Sequence, residues 1–318
     1  MSDSLHPDIP VIDQNVFTAM RSLKELPKIQ KALDIAQKQT DQAMAEQVEI
    51  CEIPSPTFHE EKRAQEIARR MKAYGLTDVY IDAIGNVVGV RKGSGNGPVL
   101  VIDAHMDTVF PEGTDVTVRR EGDTYYAPGI GDNTSGVRAL LQLIRCFNEA
   151  DIQTQGDIIF VGTVGEEGNG DIRGAKFICN GDRHIDGYIA IDSFTAGVVV
   201  MGGVGCHRWR VGISGPGGHS FMDFGKIPSA IHAMCHAGHL IDQLTPPSEP
   251  YTTFNIGTIK GGTSVNTIAP SCEVDVDIRS ISNDELLKLE AQIFQAFEEG
   301  VAEENKRWGI TDSERMLK

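Results

Sequence analysis

No apolar run in this 318-residue chain is long enough to cross a bilayer. Residues Met1 to Pro10 hold Asp3, His6, Asp8 and two prolines in place of a basic stretch followed by an apolar one, so no secretory signal is legible there. Positive charge is scarce: 29 Lys and Arg stand against 45 Asp and Glu, a net charge of −16. That balance argues against a nucleic-acid backbone or an anionic membrane as the main partner and favours a well-solvated protein. Cys51, Cys146, Cys179, Cys206, Cys235 and Cys272 include no C-x-x-C pair. They read as buried free thiols in a reducing cytosol, not as a disulfide framework or a cysteine zinc site. Also missing are a glycine loop ending in G-K-[ST], a G-x-G-x-x-G opening a helix, and G-x-S-x-G, which removes the common nucleotide-binding and serine-hydrolase readings. The length exceeds one ordinary domain, so two are expected.

What is present begins with Val99 to Ile102, a short apolar run with β-branched members that fits a strand covered on both faces of a parallel sheet. It runs directly into His105 and Asp107. These are two apart, so strand periodicity puts both on one face; one can ligate a metal while the other accepts the remaining ring N–H and fixes the tautomer. Taken alone, H-x-D could close a strand by chance, with Asp107 capping a turn. Two more strands repeat the pattern: Asp157 to Val164 leads to Glu166-Glu167, and Ile185 to Ile191 leads to Asp192-Ser193. Adjacent carboxylates at a strand mouth repel unless a cation or a shared proton resolves the charge. Apolar strands that each close on an acid or histidine predict an open α/β sheet with its site beyond the carboxyl ends. Gly129 to Gly136 leads into an amphipathic helix from Val137 to about Glu149, with Asp132 at the entry, where capping is the plain alternative to metal binding.

Elsewhere, Phe17 to Ile50 has helical spacing broken at Pro27 and predicts two helices. Thr57 ahead of Glu60 and Glu61 predicts a capped helix to about Tyr74, with His59 solvated in its first turn. Val79 to Val90 reads as a strand pair, as does Thr117 to Tyr126. From Gly205 the organisation changes. Strands over His207 to Ser214, Thr252 to Lys260 and Ser271 to Ser280, with helices over Pro228 to Leu244 and Asp284 to Trp308, make β-α-β-β-α, one strand short of a ferredoxin-like unit. His232, His236 and His239 share a helix face, and H-x-x-x-H can bind zinc. With no carboxylate beside them in the sequence, an interface or solvent face is the preferred reading.

Several motifs occur in order: H-M-D at His105 to Asp107, G-D-N-T-S-G from Gly131, G-E-E-G from Gly165, I-D-S from Ile191, G-P-G-G-H-S from Gly215, and N-T-I-A-P with D-I-R-S around Asn266 and Arg279. Together, over about Cys51 to Trp308, they resemble the M20 family of dinuclear zinc aminopeptidases, carboxypeptidases and aminoacylases. The resemblance implies an α/β, zinc-peptidase-like catalytic domain over 1–205, an open, mostly parallel sheet with helices on both faces. It implies a ferredoxin-like α+β lid and dimerisation domain, lacking its last strand, over 206–318. His105, Asp132 and Asp192 would bind one zinc, and Asp132 would bridge to a second that also takes Glu167, with cobalt or manganese as alternative metals. Asp107 would partner His105, and Glu166 would be the general base, taking a proton from a zinc-activated water and returning it to the leaving nitrogen. A cis peptide between Asp132 and Asn133 is implied as well. His219 would reach a partner subunit's active site to stabilise the oxyanion, and Asn266 and Arg279 would hold the substrate's carboxylate. The implied protein is a cytoplasmic homodimer that hydrolyses small peptides or N-acyl amino acids.

Family members continue through a last lid strand and back into the catalytic domain, where a late histidine completes the second zinc site. Here the last histidine is His239, and the chain reads D-S-E-R-M-L-K to its end. The second zinc is left with Asp132 and Glu167. The alternative expectation is a truncated, catalytically impaired relative that binds one metal or none and retains only dimerisation.

Overall fold

The computed structural model describes residues 13–192 and 197–318; the readings of Met1 to Pro10 and of Ser193 lie outside them. The chain divides into two compact units between Val198 and Val199. No helix among the described residues is long and apolar enough to cross a membrane.

In the first unit, α1 (Gln14–Lys24), α2 (Pro27–Lys38) and α3 (Thr40–Cys51) occupy the stretch where spacing predicts two helices. The additional break falls at Gln39, where the backbone leaves the helix (φ −95°, ψ 14°) and the Thr40 hydroxyl donates back to the Gln37 carbonyl at 2.8 Å. No proline or glycine marks it, so periodicity reads straight through. Helix α4 (Glu61–Ala73) follows, but Thr57 does not cap it. The Thr57 hydroxyl donates instead to Asp107 Oδ2 at 2.9 Å.

Next come β1 (Asp78–Ile81), β2 (Val87–Arg91), β3 (Leu100–His105), the small hairpin β4 (Arg119–Glu121) and β5 (Thr124–Tyr126), α5 (Thr134–Glu149), β6 (Ile158–Thr163), α6 (Arg173–Cys179) and β7 (Gly187–Ala190). The sheet order is β1-β2-β6-β3-β7; β6, β3 and β7 run parallel, and the β1–β2 hairpin joins antiparallel at the β6 edge. One face packs Ile102, Ala104 and Phe160 against Ile67 and Met71 of α4 and Leu140 and Ile144 of α5. The other buries Val88, Val101, Ile159 and Val161 against Ile178 and Tyr188. Burial on both sides is why these strands read as unbroken apolar runs. Each large side chain so buried stabilises by about 1.5–3 kcal/mol, which lets the sheet carry a cluster of charges at its end.

The second unit contains β8 (Gly205–Ser214), β9 (Gly218–His219), α7 (Ala230–Asp242), β10 (Thr252–Gly261), β11 (Thr267–Ile268), β12 (Ser271–Ser280) and α8 (Asn283–Arg307). Strand β12 is central, antiparallel to β10 on one side and β8 on the other. Its residues alternate: Cys272, Val274, Val276 and Ile278 are buried with residues of α7 and α8, while Glu273, Asp275, Asp277 and Arg279 face away from that core. After α8 the chain returns to β8. Lys318 exchanges two backbone hydrogen bonds with Ser214, both 2.9 Å, and the Asn305 side chain clamps the backbone of the buried Leu317.

Candidate metal centre

His105 ends β3 with its ring set among acids. Nδ1 lies 3.1 Å from the Asp107 carbonyl oxygen and 3.5 Å from its carboxylate. Nε2 lies 3.0 Å from Asp132 Oδ1, 3.8 Å from Asp192 Oδ2 and 3.9 Å from Glu166 Oε2. With the Nδ1 side taken by Asp107, Nε2 is the ring atom left facing the acids and free to ligate a metal. The donor atoms of His105, Asp132 and Asp192 all lie within 4.8 Å of one another, as do those of His105, Glu166 and Glu167.

Local structure explains the convergence. The Asp132–Asn133 peptide is cis. Asn133, not Asp132, caps α5: its Oδ1 accepts the Gly136 N–H at 3.1 Å, and its Nδ2 donates to the Ile191 carbonyl at 2.8 Å. The capping role thus falls on the neighbour and leaves the Asp132 carboxylate to the site. Gly136 is required where the helix start abuts the residue before Asp192, because a Cβ there would come within 2.2 Å of Asn133 Oδ1 and 2.3 Å of the Ile191 carbonyl oxygen. The fully buried Asp107 accepts the backbone N–H groups of Glu166 (2.9 Å) and Glu167 (3.0 Å). It therefore fixes His105 and pins the acidic turn after β6 together. Behind that turn, Glu60 accepts the Gly165 N–H at 2.9 Å and pairs with Arg173 at 3.1 Å, and Asn86 accepts the Val164 N–H at 3.0 Å. Thr57, Glu60, Asn86, Asn133 and Arg173 had no role in the site as read from sequence. For Thr57, Glu60, Asn86 and Arg173 the partners are far away along the chain and no spacing signals them, while Asn133 reaches both Gly136 three residues on and Ile191.

Burial opposes charge on His105, but Asp107, then Glu166 and Asp192, outweigh it and push the imidazole up to about 9. Burial and neighbouring acids hold Glu166, Glu167 and Asp192 above the usual carboxylate range. Asp107 is held below it, because His105 and the two backbone N–H groups outweigh burial. Asp103, on the same strand face as His105, is pushed up to about 6 by burial. With Thr163, Ile172, Tyr188 and Ala190 it lines a cavity of about 200 Å³ beside His105 and Asp192. An imidazole nitrogen and crowded carboxylates, destabilised by their own proximity, are a donor set that fits zinc, cobalt or manganese and that such a cation would relieve.

In the second unit, His219 is exposed at the end of β9. Its Nδ1 accepts the backbone N–H groups of Phe221 (3.2 Å) and Met222 (3.4 Å), which puts the proton of the neutral ring on Nε2. Asn266 is close by: Thr267 pairs with His219, and the Asn266 carbonyl accepts the Ser220 N–H at 3.0 Å. Arg279 is not. Strand β12 pairs Ser271 with Ser214 near this turn and Arg279 with Cys206 at its far end, about 26 Å along an extended strand. Its guanidinium pairs with Asp277 at 2.7 Å. Within one chain the register of β12 thus sets Arg279 apart from Asn266 and His219. A correction concerns α7. Carboxylates do lie beside its histidines, supplied by α8: Glu304 Oε1 is 3.4 Å from His232 Nδ1, and Glu299 and Glu303 line a groove with His236, His239 and Lys306. Among the described residues, no group of three donor atoms within 4.8 Å includes these histidines.

Residues 202–305 match the M20-type peptidase dimerisation domain, and residues 86–200 match peptidase family M28. The chain is similar to a Pyrococcus abyssi protein assigned as a LysW-lysine/LysW-ornithine hydrolase, 38% identical over 120 residues that cover 38% of this chain and 32% of that protein. It is similar also to carboxypeptidase G2 of a Pseudomonas species, 27% identical over 207 residues that cover 63% of this chain and 48% of the relative. The matches thus span about a third and about half of these relatives' own lengths. The fold is shared with the aminopeptidase PepT of Bacillus cereus, at a TM-score of 0.62 and 23% identity over 83% of this chain and 73% of that one.

Proposed function

Since the chain belongs to the M20 metallopeptidases, we propose that it is a metal-dependent hydrolase of the amide bond in small peptides or N-acyl amino acids. The observation that carries this reading is the convergence of His105, Asp132 and Asp192, with Glu166 3.9 Å from His105 Nε2, beyond the carboxyl ends of parallel strands. His105, Asp132 and Asp192 would hold one zinc, cobalt or manganese ion, and Asp132 and Glu167 would contribute to a second. When bound, the metal polarises the scissile carbonyl and lowers the pKa of water. Glu166 takes the proton from the attacking water and delivers it to the departing nitrogen. A carboxyl raised by burial toward the working pH is suited to both halves of that transfer. Asp107 does not touch the substrate; it keeps His105 Nε2 turned to the site and sets where the Glu166 side chain begins. His219, with its proton on Nε2, donates to the oxyanion of the tetrahedral state from a second copy of the chain, with Asn266 beside it. The match to a dimerisation domain supports that homodimer, and the cytoplasm is the proposed compartment.

The test is hydrolysis of a panel of dipeptides and N-acetyl amino acids with zinc, cobalt or manganese added, with metal content measured in parallel. Metal-dependent turnover that disappears in Glu166→Gln while the metal stays bound is the expected result. Metal bound with no turnover of any substrate would favour the catalytically silent alternative.

A further inference from the structure

The loop that carries His219 is held from behind. Within residues 218–226, Asp223 Oδ2 accepts the His219 N–H at 2.8 Å, the Asp223 N–H donates to the His219 carbonyl at 3.0 Å, and Lys226 Nζ donates to the Met222 carbonyl at 2.9 Å. The loop's large side chains stand in the open, with Phe224 68% exposed. Phe224 nevertheless meets Trp308 edge to face, ring centroids 5.1 Å apart, and a Cβ added at Gly225 (φ +79°) would come within 3.7 Å of the same indole. Trp308, at the end of α8, is fixed in turn. The Arg307 guanidinium stacks on it at 4.8 Å, and its Nε1–H donates to Glu304 Oε1 at 2.9 Å.

Glu304 is fully buried. The same Oε1 accepts the Ser229 N–H at the start of α7, at 3.1 Å, and lies 3.4 Å from His232 Nδ1. Its Oε2 makes no hydrogen bond and has Arg307 at 3.7 Å. A polar group buried so completely is unfavourable unless its partners repay it, and among those partners are Trp308 and the helix start beside the loop.

We propose that Glu304, Trp308 and Phe224 form a brace that sets the His219 imidazole, Nδ1 held by the Phe221 and Met222 amides and Nε2–H outward, as a preformed donor for the developing oxyanion. All three are positioning residues, and none touches the substrate. A donor already aimed costs no reorganisation when charge develops. The catalytic half of the proposal rests on the hydrolase reading given above; the brace itself can be read without turnover.

The test uses the full chain carrying Phe224→Ala, Trp308→Ala or Trp308→Phe. Phe224 is exposed, so its truncation spares the fold, and Trp308→Phe keeps a ring against Phe224 while removing the N–H. Long-range nitrogen–proton NMR reads the His219 tautomer, and hydrogen exchange reads the Phe221 and Met222 amides. Phe224→Ala and Trp308→Ala should turn a single Nε2–H tautomer into a mixture and speed exchange of both amides about tenfold or more. They should lower kcat on the order of ten- to a hundredfold with KM within about twofold, and Trp308→Phe should fall between. Wild-type tautomer and exchange in folded Phe224→Ala would refute the brace. Altered NMR with unchanged kcat would overturn its catalytic half. A wild type with bound metal and no turnover counts against the hydrolase reading, while the NMR still decides the brace.

Discussion

The first unit carries its charges inward, and the second lays most of them out. Asp103, His105, Asp107, Glu60 and Arg63 are almost fully buried in the first unit, most of them at or just behind the carboxyl ends of its strands. The second packs Val274, Val276, Ile278, Ile293 and Phe297 into an apolar core. Several of its ion pairs lie on the open face of the sheet, where Arg208 and Arg279 flank Asp277 and Arg210 pairs with Asp275. Buried charge is unfavourable unless paired or bound to a ligand. In the first unit Glu46 meets Arg70 and Arg145, and Glu60 meets Arg173, so it is the acids crowded around His105 that a cation would relieve, whereas the core of the second unit is accounted for by packing. Glu304 is the exception in the second unit, and it leads to the loop that carries His219.

Glu166→Gln should have the largest effect. Replacing a general base with an isosteric amide should lower kcat about 10²- to 10⁴-fold with bound metal unchanged, measured by steady-state kinetics beside elemental analysis; a fall of less than about tenfold would remove Glu166 from the chemistry. In the second unit the weight lies in the core. Ile278→Ala, at a fully buried position of β12, should cost about 2–5 kcal/mol of stability, seen as a lowered denaturant midpoint.

Asp107→Asn tests the charged interior directly, at a cost of about 2 kcal/mol and a weaker hold on metal. The Asp107 pKa is depressed in the folded protein, so its contribution is fully present above the unfolded carboxylate value of about 3.9 and is lost as pH falls through the lower folded value. The stability gap between wild type and variant should accordingly be widest near neutrality and close in acid. The smallest effect belongs to Asp275→Asn on the exposed sheet face. The Arg210 and Thr258 hydrogen bonds lower Asp275 to about 2, so the pair persists until pH falls through that value. Added salt should erase the small Tm difference from wild type. If Asp275→Asn proved as damaging as Asp107→Asn, the contrast between the two units would fail.

The strands that end in candidate ligands were legible because burial on both faces leaves an unbroken apolar run and the candidate residues follow it directly, as at Val101 to His105 and Ile158 to Glu167. The alternation of β12 was equally plain. Most of what escaped was set by contacts distant in sequence. Thr57 looked like a helix cap and instead serves Asp107, fifty positions away. Asn133 took the capping role that spacing allowed to Asp132. The carboxylates beside the α7 histidines come from α8, which no local pattern on α7 could reveal. Strands β9 and β11, two residues each, are too short to show any period. Arg279 was grouped with Asn266 because both sit in one motif segment, and only the strand register separates them.

The most direct measurement is metal bound per chain, by elemental analysis of monodisperse protein equilibrated with zinc and freed of excess. At least one zinc per chain is expected in the wild type, with His105→Ala and Asp132→Ala each losing it. A wild-type chain that emerges metal-free, or an Asp132→Ala protein that keeps its full complement, would contradict a metal centre at the ends of β3, β6 and β7.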